Sequence, residues 1–516
     1  MFRKSKIIQS LTALVLSALA TTAVQAEVLV PLDQYLNTTT RRYETNQYKT
    51  SYTVYVPQLE LRGNTIFINP FNVGEPVKLP VTKVNGSNYV DIESGAAMLG
   101  VSYTKNQDGI TLSPGADTTD VKESYTLQTP LAWAFDPWPT EGGAPYRTKL
   151  NTSGGDNIIS PSWFKLHSTG IESSPNVSVD YVKAYKKNGY HVWPLITNRF
   201  DPGFTSGILA NEALWKKYAH NLVQYAYIYG FDGYNFDFEN INYVDRERLT
   251  KFVAYLSGGY LHQYNIKSSI DVTGYSNSPE WSLVYDRKAY ADTVDYVVLM
   301  AYDETWAKST FAGPVSSYPW VRKNVEKMIH EVPANKLVLG IPFYMRLWRD
   351  TNGYAKAETL PMRNTAQYFS TYKDQMQWDD QLKLYYLSIP RGGSHDRIWF
   401  EDNTSLGFKL DLIKDMNLGG FAAWRKGFED ESTIAMIQQR DLGKGVPKSA
   451  DAIVNESVKT EEKSLSKVDA YKQRLEKKAK EKAAKKEAKR KAKEEAAKAK
   501  AEKKRLEQES IKVVKR

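Results

Sequence analysis

Between about residues 125 and 440, eight short apolar runs alternate with amphipathic stretches, and this alternation predicts an α/β fold, a (β/α)8 TIM barrel. Two further observations frame it. Residues 27–118 break into short β-type runs divided by Gly, Pro and Asn, which predicts a small α+β module ahead of the barrel. From residue 441 onward the composition shifts to Lys, Glu and Ala, which predicts a charged helical tail. With a signal peptide at 1–26, the expected domains are 1–26, 27–118, 119–440 and 441–516.

In chain order, Arg3, Lys4 and Lys6 form a basic start, residues 7–20 an apolar stretch, and Ala26 closes a small-residue site, so cleavage after Ala26 is expected. The other reading of this segment is an uncleaved membrane anchor. No later stretch approaches the ~18 consecutive apolar residues of a spanning helix, so a secreted or envelope-associated chain is expected. In the module, β runs are expected at 52–56, 65–68 and 77–81, a hairpin at 84–92 turning on Asn85-Gly86, a helix at 93–99, and strands near 100–103 and 109–112. This order resembles the N-terminal domain of some copper amine oxidases. It implies no copper here, because the module contains neither His nor Cys.

The barrel strands are expected at 131–135, 157–166, 191–197, 231–239, 268–273, 294–303, 337–344 and 420–424, with helices such as 212–229, 246–261 and 321–331 between them. The stretch from Trp348 to Gly419 exceeds a normal βα loop and is expected to form an inserted lobe. In the tail, Glu476–Lys480 and Glu481–Lys485 are spaced to pair on a helix, but no a/d apolar heptad supports a coiled coil. A spacer and an adhesive for anionic wall polymers are both open readings of it.

Composition narrows the chemistry. The chain has no cysteine, which removes disulfides, thiol catalysis and thiolate metal sites. Its six His show no H-x-x-x-H pair, so neither a metal nor another cofactor is expected. Residues 451–516 hold 23 Lys and Arg against 13 Asp and Glu, an excess equal to the whole net charge of +10. The first 450 residues are therefore balanced, and nucleic-acid binding is not expected of them. Twelve Trp and 34 Tyr supply the aromatic faces that sugar clefts stack against, although core packing accounts for most of them. Of these, Trp133, Trp163, Trp193, Trp281, Trp306 and Trp348 fall near strand ends and are open as subsite residues.

The richest stretch is Asp232-Gly233-Tyr234-Asn235-Phe236-Asp237-Phe238-Glu239. On a strand, Gly233, Asn235, Asp237 and Glu239 share one face and Tyr234, Phe236 and Phe238 the other. In a closed barrel the polar set points inward, where unpaired carboxylates are costly, and a run of them toward a strand's C-terminal end indicates chemistry.

These residues resemble the Asp-x-x-Asp-x-Asp-x-Glu signature of glycoside hydrolase family 18. Met300-Ala301-Tyr302-Asp303, Leu339-Gly340-Ile341-Pro342-Phe343-Tyr344-Met345-Arg346 and Gly419-Gly420-Phe421-Ala422-Ala423-Trp424 resemble its sixth, seventh and eighth strands. Asn235 stands where chitinases of the family have Asp. In this the chain is similar to the branch of bacterial spore-cortex and cell-wall acetylglucosaminidases, as it is at Tyr285-Asp286-Arg287 and Ala423-Trp424-Arg425-Lys426-Gly427. The substitution removes one carboxylate from a trio and is expected to reduce like-charge repulsion on Asp237.

The resemblance implies a retaining, substrate-assisted glycosidase, for which family 18 is itself a standard exception to the two-carboxylate scheme. Glu239 would be the general acid, Asp237 would orient the substrate's acetamide group, and Tyr302 would donate to its oxygen. Asn235 would tie Asp237 in place, Asp303 would bind a sugar hydroxyl, and Trp424 with Met300 would line the reacting subsite. Asp232 would be structural, capping the turn at Gly233. The implied partner is an N-acetylglucosamine-containing glycan, peptidoglycan first, met by a monomer. Chitin or N-glycan cleavage, and a non-catalytic glycan-binding protein, remain the alternatives.

Overall fold

The structure, a computed structural model, describes residues 29–39, 43–45, 52–62, 65–78, 81–92, 101–107, 109–114, 118–139, 145–152, 154–174 and 176–443. The signal segment, the expected helix at 93–99 and the basic tail lie outside the described residues. The chain divides into a unit ending at Val446 and a second beginning at Pro447.

Eight parallel strands close on themselves: β1 (Leu131–Asp136), β2 (Asn157–His167), β3 (Leu195–Thr197), β4 (Gly233–Asp237), β5 (Lys267–Thr273), β6 (Tyr296–Met300), β7 (Leu337–Pro342) and β8 (Gly420–Trp424). Each pairs with the next, and β8 pairs with β1, so the sheet is a closed (β/α)8 barrel without free edges. Helices follow seven of the eight strands among the described residues, the gap being between β1 and β2. Local sequence places their ends. Asp201 caps Pro202–Ala210 by accepting from the Phe204 N–H, Asp402 and Ser405 form a reciprocal capping box on Asn403–Asp415, and Gly230 ends Trp215–Tyr229 at φ +80°.

Two packed layers result. Outside the barrel, Tyr234, Phe236 and Phe238 join the helix-facing core with Phe231 and Phe252. Inside it, Trp133, Phe135, Ile158, Trp193, Leu195, Val298 and Val338 fill the lower part. The Trp133 and Trp193 rings meet edge-to-face at 5.2 Å, and Tyr125 reaches the base to donate its hydroxyl to the Asp232 carbonyl at 2.7 Å. The upper interior is left to polar groups.

Several boundaries differ from those read in the sequence: the run expected at 231–239 pairs only over Gly233–Asp237, and three further differences have clear causes. The run 191–197 splits into Tyr190–Val192 and β3, because Pro194 has no N–H for the ladder and its carbonyl instead accepts from Asn235. The expected strand 294–303 ends at Met300, and Asp303 takes φ +60°, which a strand does not allow. The inserted lobe begins earlier and ends earlier than expected. It is a five-stranded antiparallel sheet between Tyr344 and Phe400, after which Asn403–Asp415 returns to the barrel.

In the N-terminal region, Tyr52–Arg62 pairs with one long strand, Thr65–Lys78, where two short runs were expected. The register shifts around Pro57, and Pro70 falls in the unpaired bulge opposite, which lets prolines persist in the hairpin. The Asn85-Gly86 turn is present, both residues having positive φ.

Candidate active site

β4 delivers the site. Gly233, Asn235 and Asp237 face inward while Tyr234 and Phe236 pack outward. Only glycine fits at 233, since a Cβ there would lie 2.5 Å from the Trp193 ring and 2.9 Å from the Lys267 carbonyl. Phe238 and Glu239 lie past the ladder, so side chains hold them instead. Asn198, fully buried just beyond β3, accepts from the Glu239 N–H at 3.0 Å and donates to the Glu239 carbonyl at 2.7 Å. Tyr285 donates its hydroxyl to the Phe238 carbonyl at 3.0 Å. Glu239 is thereby fixed, half-buried, at the C-terminal mouth of the barrel.

Asp237 and Glu239 lie two residues apart and close enough in space for the Asp237 charge to raise the proton affinity of Glu239. Burial, then the Asp237 charge, then Asp303, hold the Glu239 carboxyl well above the usual range. Asp237 is pushed up to about 8, by burial first and by the Asp271 charge second. Its Oδ1 is buried and has no protein partner, an unmet acceptor in the site.

Asp271, on β5, corrects two expectations about Asn235. The Asn235 amide donates to Asp271 Oδ1 at 2.8 Å and to Ser269 Oγ at 2.9 Å, so it holds Asp271 rather than Asp237. The site has also not lost its third carboxyl, because Asp271 supplies one from the neighbouring strand. Burial, and then the Glu239 charge, hold Asp271 well above its ordinary range against the pull of the Asn235 bond.

Tyr302, half-buried, converges on the same place. Burial comes first and the charge of Asp271 second among the causes that keep its hydroxyl protonated, with Tyr344, Asp237 and Glu239 following. Met300 is buried at the end of β6, and Trp424 ends β8 with its ring 5.5 Å from Phe135. Asp303 is bound within the protein: the Tyr344 hydroxyl donates to its Oδ1 at 2.5 Å and Arg346 Nη2 at 2.6 Å, leaving its side chain partly exposed. Asp232 is at the opposite end of the barrel. It does not cap the turn at Gly233, but accepts from the Val192 N–H at 3.0 Å and from Lys186 Nζ at 2.8 Å.

Arg287, whose motif pointed to the acetylglucosaminidase branch, is buried. It donates to the Thr273 and Ser282 carbonyls and stacks 4.2 Å from the Tyr275 ring, a structural role. Of the tryptophans near strand ends, Trp133, Trp163, Trp193 and Trp348 are buried, whereas Trp281 and Trp306 are exposed together with Trp138, Phe200 and Phe311. All five exposed rings sit in segments that follow the C-terminal ends of barrel strands.

Asn198 and Asp271 were not singled out from the sequence, and Tyr344 and Arg346 were named only within the stretch likened to a seventh strand, without a role. A signal existed for Asp271, since Ser269 and Asp271 alternate with Ile270 and Val272 as Asn235 and Asp237 do with Tyr234 and Phe236.

Residues 176–429 match the model of glycosyl hydrolases family 18. The chain is 26% identical over 300 residues to the uncharacterized glycosylase YvbX of Bacillus subtilis, an alignment covering 55% of this chain and 84% of that protein. It is 30% identical over 249 residues to the cortical fragment-lytic enzyme of Bacillus subtilis, covering 45% of this chain and 56% of that enzyme's length. Among solved structures, the Bacillus cereus spore cortex-lytic enzyme SleL superposes with a TM-score of 0.52 at 18% identity, over 72% of this chain and 90% of that one. The chitinase from Chromobacterium violaceum gives 0.50 at 22% identity, over 54% and 90%. These two likenesses concern the fold alone. The family match lies over barrel strands β3 to β8, which bring Asp237, Glu239 and Tyr302 together, and this chain is a glycosidase.

Proposed function

We propose that the chain is an exported glycosidase that cleaves β-1,4 bonds beside N-acetylglucosamine in peptidoglycan, with retention and with help from the substrate's own acetamide group. The observation that carries this reading is the Asp237–Glu239 pair. A carboxyl at the mouth of the barrel, its proton affinity raised by burial and by its neighbour, stands beside a buried carboxyl with one oxygen that no protein group meets.

Glu239 gives its proton to the glycosidic oxygen as the C1–O bond breaks. The acetamide oxygen closes on C1 to form an oxazolinium ring, while Asp237 Oδ1 accepts the acetamide N–H, and the positive charge growing there favours the ionised form of Asp237, which stabilises it in turn. Tyr302 donates its hydroxyl to the acetamide oxygen and orients it. Water then attacks C1 from the side the leaving group vacated, loses its proton to Glu239, and the ring reopens with the β configuration restored. Trp424 and Met300 border the reacting sugar. Asp303, held by Tyr344 and Arg346, offers its exposed edge to a hydroxyl.

The peptidoglycan substrate is favoured by two things: the likeness to the cortical fragment-lytic enzyme, and a leader-like start with a basic tail that suits residence near an anionic wall. The first module, on its resemblance to the copper amine oxidase N-terminal domain, is a spacer or wall-attachment element. Release of reducing N-acetylglucosamine ends from purified peptidoglycan and from chitin oligomers tests the reading, with wild type beside Glu239→Gln. Activity on peptidoglycan, lost by about 10²–10⁴-fold in E239Q, is expected. Cleavage of chitin alone would remove the wall substrate. Equal glycan binding by both proteins without cleavage would remove the mechanism.

A further inference from the structure

Asp271 has no place in the scheme above, yet it is a carboxyl buried beside the reacting pair. In the ladder Asn235 pairs with Ser269 and Phe236 with Ile270, which puts Asp271 level with Asp237 on the adjacent strand. Asn235 carries no charge and spends its amide hydrogens on Ser269 and Asp271. The groups facing Asp271 are Asn235 and Asp237 from β4, Glu239 just past it, Ser269 from its own strand, and Tyr302 beyond β6. Around these stand Asp303, Tyr285 and Tyr344. Arg346, the cation bonded to this group, is on Asp303. Asp271 is thus a like charge among like charges, held by the Asn235 amide.

We propose that Asp271 is a positioning residue for the glycosidase reaction: reaching across from β5, it supplies the carboxyl that Asn235 lacks and governs the protonation of Asp237 and Glu239. This rests on the function proposed above. Three carboxyls in one low-dielectric pocket cannot all ionise near neutrality, so the charge on one sets the proton affinity of the others. A chain with Asn at 235 and an apolar residue at 271 would have only two coupled carboxyls, and each would release its proton at lower pH. The strand pair keeps the third carboxyl by moving it one strand over.

The test compares Asp271→Asn, Asn235→Asp and the exchange N235D/D271N. Two readouts are taken: the pH profile of kcat/KM on a chitin oligomer, and the Tm between pH 5 and 8. Removing a negative neighbour lowers the proton affinity of both remaining carboxyls. D271N therefore moves both limbs of the profile toward acid by about one unit, and N235D, with a fourth carboxyl, moves them toward alkali by a similar amount. The exchange returns the profile to that of wild type. In parallel, D271N flattens the fall of Tm with rising pH, and the exchange restores it. If D271N lowers Tm equally at every pH and leaves both the limbs and the slope in place, Asp271 is a structural residue and the proposal is overturned. A wild type that cleaves no glycan, together with slopes that change as described, would instead overturn the glycosidic reading and leave the coupling standing.

Discussion

Asn198 shows how much of the site depends on a residue that touches no substrate. It pairs with both backbone groups of Glu239 and with Thr205 Oγ1. Asn198→Ala leaves the Glu239 N–H and carbonyl unmet in a buried setting, at a cost of about 2–3 kcal/mol in urea unfolding. It also lets the acid swing, so kcat should fall at least tenfold with a smaller change in KM, as steady-state kinetics on an oligosaccharide would show. The Asp237–Glu239–Asp271 group has a consequence for stability as well. Each folded-state proton affinity is raised, so the native protein binds more protons than the unfolded chain between about pH 4 and the folded value, about 8 at Asp237. The contribution of these groups to stability is therefore greatest in acid and is lost as pH rises through that window. Differential scanning calorimetry should show it, with E239Q reducing the slope. At this scale the sequence showed which residues bear charge on β4, because alternation on one strand is local. It did not reveal Asp271 as their partner, because that contact spans 36 positions and depends on strand register.

Most of the eight strands were legible as apolar or alternating runs of five or more residues bounded by turn chemistry, a pattern that burial inside a barrel favours, while β3 has only three residues. The misread edges have local causes: Pro194 interrupts one strand, and Asp303 turns another away at positive φ. The lobe was visible only as excess length, since its antiparallel strands alternate weakly. One anchor between lobe and barrel is entirely buried. Lys409 Nζ, on Asn403–Asp415, lies 2.5 and 2.6 Å from the two carboxylate oxygens of Glu401, just past the lobe's last strand, and Ser405 donates to the same carboxylate at 2.9 Å. Lys409→Met leaves Glu401 as an uncompensated buried charge and should cost about 3–5 kcal/mol by denaturant titration. Replacing Glu401 by Leu as well should recover most of that loss, because the unpaired charge is gone.

For the whole molecule, charge separates the parts more clearly than hydropathy does. The first 450 residues are neutral overall, and the net +10 belongs to the segment from 451 onward. A chain ended at Gly443 should keep both the Tm of the barrel and its cleavage of soluble oligosaccharides. It should lose a retention on anionic wall polymers that the full chain shows at low salt and that ~0.5 M salt abolishes. Sedimentation with wall fragments at the two salt concentrations measures this. The architecture imposes a further condition on traffic. Trp133, Trp193 and Tyr125 close the lower end of the barrel, so the molecule is a well and not a tunnel. A polymer cannot thread it. On the proposed function, a glycan polymer would lie across the rim, where the exposed rings of Trp138, Trp281 and Trp306 follow strand ends, dip one sugar toward Glu239, and release both cut ends by the way they entered.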